Sequence, residues 1–195
     1  MIEDCTAIIL AGGDSQRMGS DKASLMLGEQ TLLQREIAAM QQIFPYVIVS
    51  VRQLRPEIEL PQVCDERSNG GPLAGLAAGL ACISTPWAFA VACDMPFVSP
   101  SVIGLLAQRR AGHQAVVAVV QGHRQPLAAF YANSCLATMR ANLAGSGKSS
   151  LQAVLEQLNV CYVDETELLA TDPGLHSFFD LDTPQDVIMA MRIER

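Results

Sequence analysis

Short apolar runs alternate along this chain with longer stretches of helical periodicity. Unbroken runs rich in Val, Ile, Ala and Leu predict strands over 6–10, 46–51, 87–93, 115–120 and 127–131, with short ones over 61–64 and 160–163. Between them, the apolar spacing predicts helices over 31–43, 72–83, 99–110, 134–144, 149–157 and 183–192. Strands that are apolar throughout need cover on both faces, which a mostly parallel sheet between two helical layers provides. Ser99-Pro100 and Thr183-Pro184 each place a capping side chain before a proline at the first helical position. Gln121-Gly122-His123-Arg124-Gln125 reads as a hairpin turn. The fold class that follows is α/β: a doubly wound, mostly parallel sheet in three α/β/α layers.

The first strand breaks into Leu10-Ala11-Gly12-Gly13-Asp14-Ser15-Gln16-Arg17-Met18-Gly19-Ser20-Asp21-Lys22. Paired glycines let the backbone approach a ligand closely, and their amides can line an anion-binding hollow. Arg17 adds a planar fork suited to phosphate oxygens, and Lys22 adds a compact charge. The segment is neither a P-loop nor a dinucleotide fingerprint. Gly147-Lys148-Ser149 has Asn142 where the P-loop needs its first glycine, and Gly145-Ser146-Gly147 has Ser150 where a third glycine belongs.

In open sheets of this kind, ligands sit outside the carboxyl ends of the strands. The segment from Gly12 to Lys22, Arg52, Asp65 and Asp94-Met95-Pro96 all follow apolar runs, so they are expected to converge on one crevice. Asp94 ends the most hydrophobic run, Trp87 to Cys93. A carboxylate there needs a partner, because an unpaired buried charge costs several kcal/mol or neutralises. A hard divalent cation serves, since Mg²⁺ takes one or two carboxylates and completes its shell with water and phosphate. Capping of the following turn is the structural alternative. Asp65 follows the short run ending in Cys64 and, taken alone, reads as a plain loop residue. Gly70-Gly71-Pro72 opens a helix of small residues whose N-terminus favours anions.

Residues 10–22 resemble the molybdenum cofactor guanylyltransferases, the MobA-type nucleotidyltransferases, whose Leu-Ala-Gly-Gly-x-Ser-x-Arg-Met-Gly-x-Asp-Lys signature they match at every fixed position. Gly71-Pro72-Leu73-Ala74-Gly75, Asp94-Met95-Pro96, Arg124-Gln125-Pro126-Leu127 and the closing stretch from Asp180 to Asp186 extend the likeness along nearly the whole chain. The resemblance implies a Rossmann-like nucleotidyltransferase fold and transfer of GMP from GTP to the phosphate of molybdenum-molybdopterin, releasing pyrophosphate. It implies Mg²⁺ as cofactor with Asp94 as its ligand. It implies a catalytic set of Arg17, Lys22 and Asp94, and nucleotide contacts from Leu10, Ala11, Gly12, Gly13, Lys22, Asp65 and Asp94. Arg124 and Asp182 fall on the acceptor side, Arg124 as a grip on the acceptor's phosphate or as a bland turn residue. The chain then forms one domain over 1–195, with a nucleotide-binding half over about 1–113 and an acceptor-side half over about 114–195. The family hands its product onward, which implies transient contacts with other cofactor-maturation proteins.

Two positions depart from the pattern. Arg52 stands where the family often carries Asn, and it is left outside the candidate set. Asp180 and Asp182 replace an Asn pair, a form closer to cytidylyl-transferring relatives; Asp182 is a second metal contact or, with Thr183, a helix cap. Cytidylyl transfer to the same pterin, transfer to a sugar phosphate, and a nucleotide-binding module without turnover therefore stay open.

Composition narrows the partners. Half the residues are hydrophobic and 17% are charged, the reverse of a disordered chain. The formal net charge is −7 with no Lys/Arg cluster, which argues against nucleic acid. No apolar run approaches the roughly 20 residues that span a bilayer. Six scattered cysteines without a CxxC pair read as core residues of a reduced, cytoplasmic protein. With only three histidines, none in the phosphate loop, the expected chemistry is positioning and charge neutralisation.

Overall fold

The computed structural model describes residues 1–12, 21–64, 70–145 and 149–193. In chain order, β1 (Cys5–Leu10) precedes a 3₁₀ turn over Lys22–Ser24 and a hairpin of β2 (Met26–Leu27) and β3 (Gln30–Thr31). Then come α1 (Leu32–Ile43), β4 (Tyr46–Val51), β5 (Gln62–Cys64), α2 (Gly71–Cys82) and β6 (Trp87–Ala92). They are followed by α3 (Pro100–Ala107), β7 (Ala115–Val120), β8 (His123–Ala132) and α4 (Cys135–Ala144). The chain continues through α5 (Leu151–Leu155), β9 (Val160–Val163), α6 (Glu165–Leu169), a 3₁₀ turn over His176–Phe178 and α7 (Pro184–Ile193).

The main sheet has the order β5-β4-β1-β6-β8-β7-β9. β5, β4, β1 and β6 run parallel, β8 runs against β6 and β7, and β9 is parallel to β7. This is the doubly wound, mostly parallel sheet expected from the apolar runs. Successive side chains leave a strand on opposite faces, and the core divides accordingly. Ala7, Ile9, Phe89, Val91, Val116 and Phe130 pack under α1 and α3. Ile8, Leu10, Ala88, Ala90, Val117 and Tyr131 pack under α2, α4 and α5. Full burial of each large apolar side chain contributes about 1.5–3 kcal/mol.

Several boundaries differ from expectation. β8 begins at His123, four residues before the predicted start, because the turn is only Gln121-Gly122 (φ +50° and +75°). Two residues of positive φ make the tight hairpin that suits strand twist, so the polar stretch after it is strand. The helices expected over 99–110 and 149–157 shorten to α3 and α5. The β2–β3 hairpin and α6 had no sequence forecast. Ser99 caps α3 by accepting from Val102 N at 3.2 Å, and Thr183 accepts from Asp186 N at 3.3 Å at the start of α7. A small third core of Leu27, Leu32, Leu181 and Ala190 joins α7 to the hairpin and α1. That contact brings the segment before α7 to the carboxyl ends of β1 and β6. No helix among the described residues is long and apolar enough to cross a membrane.

Candidate functional site

A cavity of about 420 Å³ opens where β1, β4 and β6 end. Its lining gathers Leu10, Ala11 and Gly12 after β1, Ser50 to Arg52 from β4, and Gly71 and Gly75 from α2. Asp94 and Met95 follow β6, Gln125 to Leu127 come from β8, and Lys22 and Asp180 complete the rim. The expected convergence holds for Gly12, Lys22, Arg52, Asp94 and Met95. Gly13, Arg17 and Asp65 lie outside the described residues.

The strand ends are tied to one another by backbone. Ala11 N donates to Ser50 O at 2.8 Å, and Cys93 N donates to Leu10 O at 3.1 Å. The floor is tight for a reason visible at two glycines. A Cβ on Gly75 would stand 2.8 Å from Ser50 Oγ and 3.3 Å from Leu10 Cδ2, while one on Gly12 would meet Arg52 Cγ at 3.4 Å. Absent side chains thus bring the start of α2 onto the sheet and leave this side of the cavity open.

At the rim, Lys22 Nζ donates to Asp94 Oδ2 at 2.7 Å and also pairs with Asp182. The Lys22 and Asp94 side chains are each 17% exposed, so the pair is shielded enough to matter more than a surface bridge. Burial works against the charge on Lys22, and its hydrogen bonds to Asp182 and Asp94 outweigh it, holding the ammonium above its usual range. Leu181 N donates to Asp94 O at 3.0 Å, which fixes the C-terminal segment to the turn after β6. The Asp182 side chain faces Lys22. The cap of α7 is Thr183, assisted by Asp186, whose Oδ2 accepts from Asp182 N at 3.0 Å and Thr183 N at 2.7 Å. Desolvation first, then the negative charges of Asp94 and Asp182, push the Asp180 carboxyl up to about 6.

Of the described carboxylates at this rim, which include Asp180, Asp94 and Asp182 are the two placed around one centre. They already close on one cation, the Lys22 ammonium, so their geometry admits a positive centre. Among the described residues no three His, Cys, Asp or Glu side chains gather as a metal cluster. Two carboxylates around one centre leave room for the water and phosphate ligands that Mg²⁺ takes.

Arg124 is placed elsewhere. Its guanidinium lies 5.3 Å over the Tyr162 ring and 3.7 Å from Glu156, and it does not line the cavity. The acceptor role expected of it has no support in this geometry. Its neighbours Gln125, Pro126 and Leu127 line the cavity instead.

One residue the sequence reading missed is Glu36. It is 1% exposed on α1, and its Oε1 has no hydrogen-bond partner among the described residues. Burial, reinforced by the Asp94 charge, pushes its carboxyl up to about 8. A signal was available: Glu36 falls on the helical stripe of Leu32, Leu33 and Met40, all buried, where an apolar residue was due.

Residues 7–161 match the family model of the MobA-like NTP transferase domain. A probable molybdenum cofactor guanylyltransferase of Pelotomaculum thermopropionicum is 33% identical over 187 residues, covering 95% of this chain and 91% of that protein. A protein of Chloroflexus aggregans with the same description is 36% identical over 192 residues, covering 93% and 91%. Among solved structures, molybdopterin-guanine dinucleotide biosynthesis protein A from Archaeoglobus fulgidus superposes with a TM-score of 0.84 at 28% identity, covering 96% of this chain and 97% of that one.

Proposed function

The chain belongs to the MobA-like NTP transferase family, and from that premise we propose that it transfers GMP from GTP to the phosphate of molybdenum-molybdopterin, releasing pyrophosphate and forming the guanine dinucleotide. The observation that carries the proposal is the Lys22–Asp94 pair, 2.7 Å apart at the rim of a cavity where three parallel strands end. Relatives described as molybdenum cofactor guanylyltransferases match it over 93–95% of its length, which supports guanine as the base and the pterin as the acceptor.

The chemistry follows from the reactants. A phosphomonoester acceptor is ionised near neutral pH, so its oxygen needs no strong general base. The barrier is the approach of two anions, and the protein's task is to orient them and offset their charge. The amide at Gly12 and the ammonium of Lys22 hold the triphosphate and stabilise the departing pyrophosphate. Ser50, Gly71 and Gly75 leave room for the nucleoside beside the phosphate subsite. Asp94, assisted by Asp182, would hold Mg²⁺, which when bound would offset negative charge on the phosphate oxygens. For that, Lys22 must exchange its carboxylate partners for phosphate. Arg17, five residues before Lys22 in the sequence, would supply a second cation to the phosphates. The −7 charge of the chain and the absence of a basic cluster in its sequence fit small-molecule substrates rather than a nucleic acid.

The test is an equimolar competition of the four nucleoside triphosphates with Mg²⁺ and molybdenum-molybdopterin, read by mass of the pterin product. GMP addition with stoichiometric pyrophosphate is expected. CMP addition, or nucleotide binding without any product, overturns the proposal.

A further inference from the structure

The cavity wall across Asp94 from Gly12 is made by Gln125, Pro126 and Leu127, where regular pairing of β8 with β7 lapses between Gln125 and Phe130. β8 pairs with β7 at Phe130–Val116 and again at Gln125–Ala118. Between those pairings β7 advances from Val116 only to Ala118, so β8 carries surplus chain as a bulge. Bulges of this kind re-aim side chains beside active sites. Within the bulge Ala128 has φ +55° and is fully buried. A residue with a Cβ stays in that left-handed state only where its surroundings hold it.

Tyr131 supplies the hold. Its ring is wholly buried, and its Oη donates to Pro126 O at 2.6 Å. Burial pushes the phenol above its usual range, so it remains a proton donor throughout the working pH range.

We infer that Tyr131 is a positioning residue for the acceptor: its hydroxyl braces the bulge so that Gln125, Pro126 and Leu127 present a fixed wall to the phosphomonoester. The inference rests on the transfer reading above and deepens it. Strand order runs β1, β6, β8, which puts this wall and Gly12, at the end of β1, on opposite sides of Asp94. In-line displacement at the α-phosphorus requires the attacking and leaving oxygens on opposite sides. Pyrophosphate departs towards Gly12 and Lys22, so the acceptor arrives along β8. Pro126 and Leu127 offer it half-buried apolar contact, and Gln125 offers an amide.

Tyr131→Phe keeps the ring and removes the one hydrogen bond, leaving the Pro126 carbonyl unpaired. Initial rates are measured with GTP and molybdenum-molybdopterin varied separately, together with amide hydrogen exchange of the free protein. The KM for the pterin is expected to rise on the order of tenfold, with kcat and the KM for GTP within about twofold. Exchange at the Leu127 and Ala128 amides is expected to quicken while α2 stays protected. Unchanged pterin KM, or parallel loss in kcat and both KM values, overturns the inference. If the wild type transfers no nucleotide to the pterin, the functional reading fails first. Exchange at Leu127 and Ala128 then still decides whether the brace exists.

Discussion

Lys22 closes on Asp94 at 2.7 Å across 72 residues of sequence, joining the 3₁₀ turn over Lys22–Ser24 to the carboxylate that follows β6. The same ammonium pairs with Asp182 before α7. One cation thus occupies the ground on which the proposed function places a divalent ion and a triphosphate. Lys22→Met is expected to lower kcat/KM for GTP by roughly 100- to 1000-fold, the scale of losing one preorganised charge. It is also expected to bind Mn²⁺ more tightly in the absence of nucleotide, because Asp94 and Asp182 lose their competitor. Paramagnetic titration of the free ion checks the second effect; weaker Mn²⁺ binding contradicts the competition.

Glu36 sets a pH dependence of unusual sign. Its carboxyl is raised from 4.5 to about 8 by burial and by Asp94, so the folded state binds a proton that the unfolded state releases. Stability from this group is fully present below about pH 4.5 and is lost as pH rises through 8. The loss reaches at most about 5 kcal/mol, taking 1.36 kcal/mol per unit. Urea unfolding at pH 5, 7 and 9 is expected to show falling stability, and Glu36→Gln to flatten that fall. A wild-type profile already flat from pH 5 to 9 would contradict the buried, unpaired carboxyl.

Gly75 and Gly79 separate packing from binding. A Cβ on Gly79 would lie 2.8 Å from Ile8 Cγ2, away from the cavity, and one on Gly75 would lie 2.8 Å from Ser50 Oγ, at its floor. Overpacking costs about 1–3 kcal/mol, offset in part by the roughly 1 kcal/mol that Ala gains over Gly in a helix. Both Ala variants are expected to melt earlier. Only Gly75→Ala is expected to weaken GTP binding, by several-fold in calorimetry. Equal GTP affinities for the two variants would remove Gly75 from the nucleotide subsite.

Arg124→Ala is expected to leave both KM values within about twofold of wild type. The guanidinium spends its contacts on Tyr162 and Glu156, and exposed pairs of this kind contribute about 0–1 kcal/mol. A tenfold rise in the pterin KM would show that Arg124 turns into the cavity when the acceptor binds.

Much of this architecture was legible in the residues. The runs Tyr46–Val51 and Ala115–Val120 become β4 and β7 without change of boundary, because a strand covered on both faces leaves an unbroken apolar signature. β8 was cut short because His123-Arg124-Gln125 is polar and Pro126 lacks an amide donor, yet a hairpin arm at a cavity mouth accepts both. The β2–β3 hairpin has two residues per strand, too few to show any period. In the site, the strand-end rule gathered Gly12, Lys22 and Asp94. The pairing of Lys22 with Asp182 depends on α7 docking through Leu181 and Ala190, a long-range contact with no local signature. Arg124 and Gln125 differ by one position, and a single step in strand register exchanges wall for surface.

A crystal structure with Mg²⁺ and a non-hydrolysable GTP analogue tests the central claim most directly. The polyphosphate is expected at the Gly12 amide and Lys22, with Nζ moved off Asp182 and the cation about 2.1 Å from an Asp94 oxygen. A nucleotide bound outside this cavity, or one bound within it while Lys22 stays closed on Asp94 and Asp182, would contradict the account.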